Sequence, residues 1–99
     1  MPTENKLNDS TIISMALTDM PAILAIESIA HTHPWSEKLF ISNFGKRYVN
    51  HVLMLEEHIV GYFVASYVAG EMTLLNIAVH PAYQGKGVGR ALLLFLQQL

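Results

Sequence analysis

Leu74-Leu75-Asn76-Ile77-Ala78-Val79-His80-Pro81-Ala82-Tyr83-Gln84-Gly85-Lys86-Gly87-Val88-Gly89-Arg90 is the stretch that decides the fold. Leu74 to Val79 is apolar apart from Asn76 and predicts a strand, which Pro81 stops. A glycine-rich turn follows, and the apolar positions after it predict a helix. Gly85, Gly87 and Gly89 stand at alternate positions. Without Cβ atoms they let the backbone reach positive φ and leave its amide groups open to an approaching group. The helix start adds unpaired N–H groups and the positive end of the dipole, and Lys86 and Arg90 add full charges. The guest that suits such a place is an anion such as a phosphate or pyrophosphate.

Spacing narrows the kind of loop. A Walker A loop needs Ser or Thr after Gly-Lys, whereas Gly87 follows Lys86. A dinucleotide fingerprint needs a third glycine three places after the second and an acidic residue about 20 residues on, and neither is present. Gln84, Gly87 and Gly89 instead fit Gln/Arg-x-x-Gly-x-Gly/Ala.

Working outward, Ala69-Gly70-Glu71 predicts a hairpin turn into the Asn76 strand. Val49 to Leu55 and Ile59 to Val68 predict two strands joined at Glu56-Glu57-His58, the second apolar enough from Ile59 to Ala65 to be central. Thr11 to Leu17 predicts an edge or second strand. Thr18 or Asp19 caps a helix with Pro21 in its first turn, burying Ile23, Ile26 and Ala30. His31 to Trp35 breaks that helix, and Ser36 with Glu37 opens a short one reaching about Asn43. After the glycine turn, Val88, Ala91, Leu92, Phe95, Leu96 and Leu99 share one helical face, while Leu93 and Leu94 fall outside it and need other cover. Met1 to Ser10 is a polar lead-in.

Ninety-nine residues allow a single domain with a modest core. The 52% hydrophobic and 14% charged content leaves apolar surface that wants a partner. No apolar run is long enough for a membrane span, and the first ten residues lack a signal peptide's apolar centre. The absence of cysteine excludes disulfides and fits a cytoplasmic protein. A net charge of -2 gives no reason to expect nucleic acid. A protein or small-molecule partner is expected.

The Gln84-x-x-Gly87-x-Gly89 turn, preceded by Asn76-Ile77-Ala78-Val79-His80-Pro81, resembles the pyrophosphate-binding motif and central strand of the GCN5-related N-acetyltransferases (GNAT). The resemblance spans Thr11 to Leu99. It implies an α+β (α/β) fold, with a mixed, mostly antiparallel sheet and flanking helices, from which the C-terminal part is missing. Within the family, His33-Pro34-Trp35-Ser36-Glu37 looks like the RimI type, which acetylates the N-terminal alanine of a small-subunit ribosomal protein.

By position, the resemblance implies that acetyl-coenzyme A (acetyl-CoA) pairs its pantetheine arm with the backbone of Ile77, Ala78 and Val79. It also implies that the pyrophosphate lies against Gln84, Gly85, Lys86, Gly87, Val88, Gly89 and Arg90. Asn76 is expected at a bulge that opens the sheet. The family's catalytic acid and base fall beyond Leu99, so the catalytic residues are unknown here. The Asn76 strand is expected to be an open edge, available for self-association. The alternative is a catalytically incomplete fragment that binds acetyl-CoA or is merely structural.

Other candidates read more plainly. His31 and His33 lack a third ligand and are expected to be loop residues without metal. Trp35 is expected to anchor the second helix rather than stack a substrate, Tyr67 to be a sheet residue rather than a replacement general acid, and Glu71 to be a solvated turn carboxylate rather than a base acting through water. Arg47 and Tyr48 lie in a loop that either faces a peptide substrate or is a solvated turn. The five methionines read as core filler.

Overall fold

The structure, a computed structural model, describes residues 9–99. Its elements are β1 (Ser10–Ser14), α1 (Met20–Ala30), α2 (Glu37–Ser42), β2 (His51–Leu55), β3 (His58–Val68), β4 (Glu71–Val79) and α3 (Val88–Gln97). Single 3-10 turns at Leu17–Asp19 and Pro81–Tyr83 lead into α1 and the glycine loop. The sheet runs β1-β2-β3-β4, every pair antiparallel. β3 is therefore interior, as its apolar run predicts, and β4 is an edge among the described residues.

Alternation along the strands divides the core into two layers. Val52, Tyr62, Val64 and Ala78 turn to one face and pack with Met15, Met20, Ile23, Ile26 and Phe40 from α1, α2 and the segment before them. Leu53, Leu55, Phe63 and Ala65 turn to the other and pack with Val88 and Leu92 of α3. Burying each Val, Leu, Ile, Phe or Met among them stabilises the fold by about 1.5–3 kcal/mol. Gly61 lets α3 come close: a Cβ there would stand 2.9 Å from Val88 Cγ1 and 3.1 Å from the Ala78 carbonyl oxygen.

Several boundaries differ from the sequence expectation. Residues 1–8 of the lead-in lie outside the described residues, and Ser10 already belongs to β1. β1 stops at Ser14, because Asp19 bonds back to the Ala16 N–H and draws the chain into a 3-10 turn before α1. Asp19 is the N-cap of α1, and Pro21 lies in its first turn. β2 starts at His51 rather than Val49, because the Asn50 side chain accepts the Ala65 N–H that a strand carbonyl would otherwise take.

The β2–β3 turn is two residues long, Glu56 and Glu57, both at positive φ, so His58 is already in β3. β4 begins at Glu71, since Ala69 and Gly70 form the whole turn at positive φ. Leu99 lies beyond α3 and is exposed, whereas Leu93 and Leu94 are exposed as their position off the apolar face requires. Met15 and Met20 are core residues, and Met54 and Met72 pack against the core.

Candidate active site

β4 carries the first part of the site. Its register against β3 slips between the pairs Val64–Asn76 and Ala65–Leu74, leaving Leu75 as the extra residue of a bulge beside Asn76. Past the bulge, hydrogen bonding alternates along the pair. The His80 N–H donates to the Val60 carbonyl at 2.8 Å, so Ala78 faces Tyr62 while Ile77 and Val79 turn their backbone groups to the open side.

Those outward carbonyls already have partners. His31 Nε2 lies 3.1 Å from the Ile77 oxygen, and Gln84 Nε2 donates to the Val79 oxygen at 3.3 Å. The outward N–H groups of Ile77 and Val79 have no partner among the described residues. The edge thus presents donors, which suit the carbonyl oxygens of an extended amide-bearing arm.

The glycine loop carries the second part. His80 accepts the Ala82 N–H on Nδ1 and closes the 3-10 turn, which aims Gln84 back at β4. Gly85 and Gly87 hold φ of +79° and +89°, the left-handed region where a side chain is strained. Gly87 is the N-cap of α3, and the Ala91 N–H closes the first turn on its carbonyl. A Cβ at Gly89 would stand 3.7 Å from Val79 Cγ2, so the helix start lies against the end of β4.

Gly85, Lys86, Gly87 and Arg90 are exposed, Gly89 is half-buried, and Val88 is a core residue whose side chain fixes the helix. The charges here, Lys86 and Arg90, are both positive, and no acidic residue lies in the first turn of α3. Bare amides, a helix N-terminus and two cations fit a pyrophosphate, and the donor edge fits the arm beyond it.

The sequence expectations did not include the third part. Glu27, 1% exposed on the sheet side of α1, accepts from the Tyr62 hydroxyl and from Asn76 Nδ2 at 3.1 Å on Oε1, and from the Trp35 N–H at 2.9 Å on Oε2. His31 Nε2 stands 3.7 Å from Oε1. Burial, then the hydrogen bond and charge of Glu27, raise the Tyr62 hydroxyl far above the usual tyrosine range, so Tyr62 acts only as a donor here. Periodicity puts Glu27 on the apolar face itself, seven residues after Met20, four after Ile23 and three before Ala30, so an acid on that face was the signal that could have found it. Its spacing from Tyr62, Asn76 and Trp35 carries no local signal.

Trp35 packs on Phe40 at 5.1 Å between ring centroids and Phe40 on Tyr62 at 5.9 Å, which makes Trp35 the anchor expected of it. Ser36 caps α2 by accepting the Leu39 N–H. Tyr67 is exposed on β3, and Glu71 is exposed at the first position of β4. Arg47 and Tyr48 adjoin β3, where the Tyr67 N–H donates to the Arg47 carbonyl. His31 is engaged with Ile77, and no group of three or more metal-ligating side chains gathers among the described residues. None of their helices is long and apolar enough to cross a membrane.

Comparison with known proteins bears on the family and the fold. The family model described as an acetyltransferase (GNAT) domain matches residues 47–99. The chain belongs to the GNAT acetyltransferase family. The [ribosomal protein bS18]-alanine N-acetyltransferase of Escherichia coli strain K12 is 49% identical over 84 residues, covering 85% of this chain and 57% of that protein. The crystal structure of the ribosomal-protein-S18-alanine N-acetyltransferase from E. coli superposes with a TM-score of 0.87 at 47% identity, over 90% of this chain and 57% of that one. The PaiA N-acetyltransferase of Thermoplasma acidophilum, solved with coenzyme A, shares the fold at a TM-score of 0.77 and 14% identity, over 90% of this chain and 70% of that one. The chain spans somewhat over half the length of the curated relatives it matches.

Proposed function

We propose that this chain holds acetyl-CoA and serves the transfer of its acetyl group to a protein N-terminal α-amine, the alanine of ribosomal protein bS18. The carrying observation is the donor edge at Ile77 and Val79, followed directly by a glycine loop with two positive-φ glycines at the start of α3. The name of the 49%-identical E. coli relative supplies the acceptor.

When bound, acetyl-CoA supplies an activated thioester acyl group. Gly85 and Gly87 leave their amides bare for the pyrophosphate, and Lys86 and Arg90 neutralise its charge. Gln84 holds the Val79 carbonyl, so that strand and loop keep their spacing. Ile77 and Val79 bind the arm through their N–H groups, while Ala78 stays paired in the sheet. Val88 and Gly89 act through packing: one anchors α3 in the core, and the other lets it approach Val79.

On this account the cofactor-binding half lies within 11–99, in a cytoplasmic protein. The β4 edge before Asn76 is also available to pair with a second copy, and Leu74 and Leu75, each 39% exposed, add apolar surface there. Sedimentation velocity tests that pairing: a concentration-dependent rise toward a dimer supports it, and a monomer at every concentration contradicts it. The transfer itself is tested by incubating the chain with acetyl-CoA and a peptide that begins with the N-terminal residues of bS18. Acetylation of the peptide N-terminus is expected, and binding of acetyl-CoA without transfer would reduce the role to a binding module.

A further inference from the structure

The Glu27 cluster joins four parts of the fold. Helix α1 brings the carboxylate, the α1–α2 loop brings the Trp35 N–H, and the bulged strand brings Asn76, with Tyr62 closing the group from β3. A buried carboxylate is tolerated when donors surround it, and here three donors converge on its two oxygens. His31 extends the group to the site itself. The Ile77 carbonyl, 3.1 Å from its Nε2, and the carboxylate, 3.7 Å away, are both acceptors, so Nε2 carries the proton. Removing Glu27 would therefore free the Trp35 amide and the Asn76 side chain together, and would take from His31 the charge beside its contact with the Ile77 carbonyl.

We propose that Glu27 is a positioning residue of the acetyl-CoA site. Its carboxylate fixes the Trp35 amide and the Asn76 side chain in one group, and so sets the spacing between the α1–α2 loop and the outward amides of Ile77 and Val79. The proposal rests on the acetyl-CoA function above. It assigns Glu27 no contact with the reacting atoms, since all of its hydrogen bonds are internal.

Glu27→Gln tests it, because the substitution keeps the shape but places an amide N–H₂ opposite a donor on one side of the group. Ile26→Val, a buried change one residue away in the same core layer that removes no hydrogen bond of the group, serves as the control for general loosening of the core. Both are compared with the unchanged chain by calorimetric titration with acetyl-CoA and by amide NMR. The expected result is a Kd raised at least tenfold in Glu27→Gln, with shifted resonances for Trp35, Ile77 and Val79, and neither effect in Ile26→Val. A folded Glu27→Gln whose Kd lies within twofold of the control, with those three resonances unmoved, would overturn the proposal.

If Glu27→Gln does not fold, Asn76→Ser, too short to reach the carboxylate, is judged by the Trp35 amide and the Kd on the same terms. If the unchanged chain does not bind acetyl-CoA, the proposed function fails for it. The positioning role is then decided by the amides alone: movement of Ile77 and Val79 in Glu27→Gln sustains it, and their constancy overturns it.

Discussion

Tyr62 of β3 donates its hydroxyl to Glu27 of α1 across the inner face of the sheet, and both residues are buried. The pair joins residues 35 apart in the chain and fixes α1 over the two strands nearest the site. Its chemistry has a pH signature. The unfolded tyrosine loses its proton near pH ~10, whereas the folded one retains it well beyond that.

Stability should therefore be whole below about pH 10 and fall above it, where the folded chain binds more protons than the unfolded one, with a slope of up to about 1.4 kcal/mol per pH unit. Tyr62→Phe should cost about 1–3 kcal/mol at neutral pH, by removing one donor from a buried carboxylate, and should flatten the alkaline slope. Urea melts of both proteins from pH 7 to 11 measure this. An unchanged slope in Tyr62→Phe would contradict it.

The β2–β3 turn places Glu56 and Glu57 at φ of +53° and +70°. Left-handed backbone costs a side-chain-bearing residue about 1–2 kcal/mol, and Asn-Gly is the pair best suited to such a turn. Glu56→Asn with Glu57→Gly should raise stability by about 1 kcal/mol, read as a higher urea midpoint with unchanged slope. A lower midpoint would mean that the two carboxylates have a role the backbone does not reveal.

Gly61 predicts the opposite sign. A methyl group there meets Val88, Leu92 and the Ala78 carbonyl within 3.2 Å. Gly61→Ala should cost about 1–3 kcal/mol by pushing α3 away from β3, and it should weaken acetyl-CoA binding because the helix start moves with it. Thermal melts and cofactor titration measure the two effects, and a stabilised variant would contradict the packing.

Much of this fold was legible where a residue's reason is local. The strand, glycine turn and helix from Leu74 to Arg90, the interior β3, the Ser36 cap and the exposed Leu93 and Leu94 all follow from nearest neighbours and periodicity. The bulge was expected at Asn76 from the family resemblance, and its extra residue is the neighbouring Leu75. What escaped was set by side chains replacing backbone: Asn50 taking a strand's place, Asp19 turning the chain early, and His31 and Gln84 occupying the edge carbonyls. Glu27 escaped for the same reason, since its three donors come from positions 35, 62 and 76. The equal weight of Ile77, Ala78 and Val79 in the sequence also resolves only in the register, which turns the first and third outward.

The most direct measurement is calorimetric titration of this chain with acetyl-CoA, repeated with Gly87→Asp and Gly87→Ala. Gly87→Ala reports the strain of a side chain at φ +89°, and Gly87→Asp adds a negative charge against the pyrophosphate. The account predicts saturable binding by the unchanged chain, weaker binding in Gly87→Ala and none detectable in folded Gly87→Asp. Absence of binding by the folded, unchanged chain, or equal binding by Gly87→Asp, would contradict the glycine loop as the place that holds the cofactor.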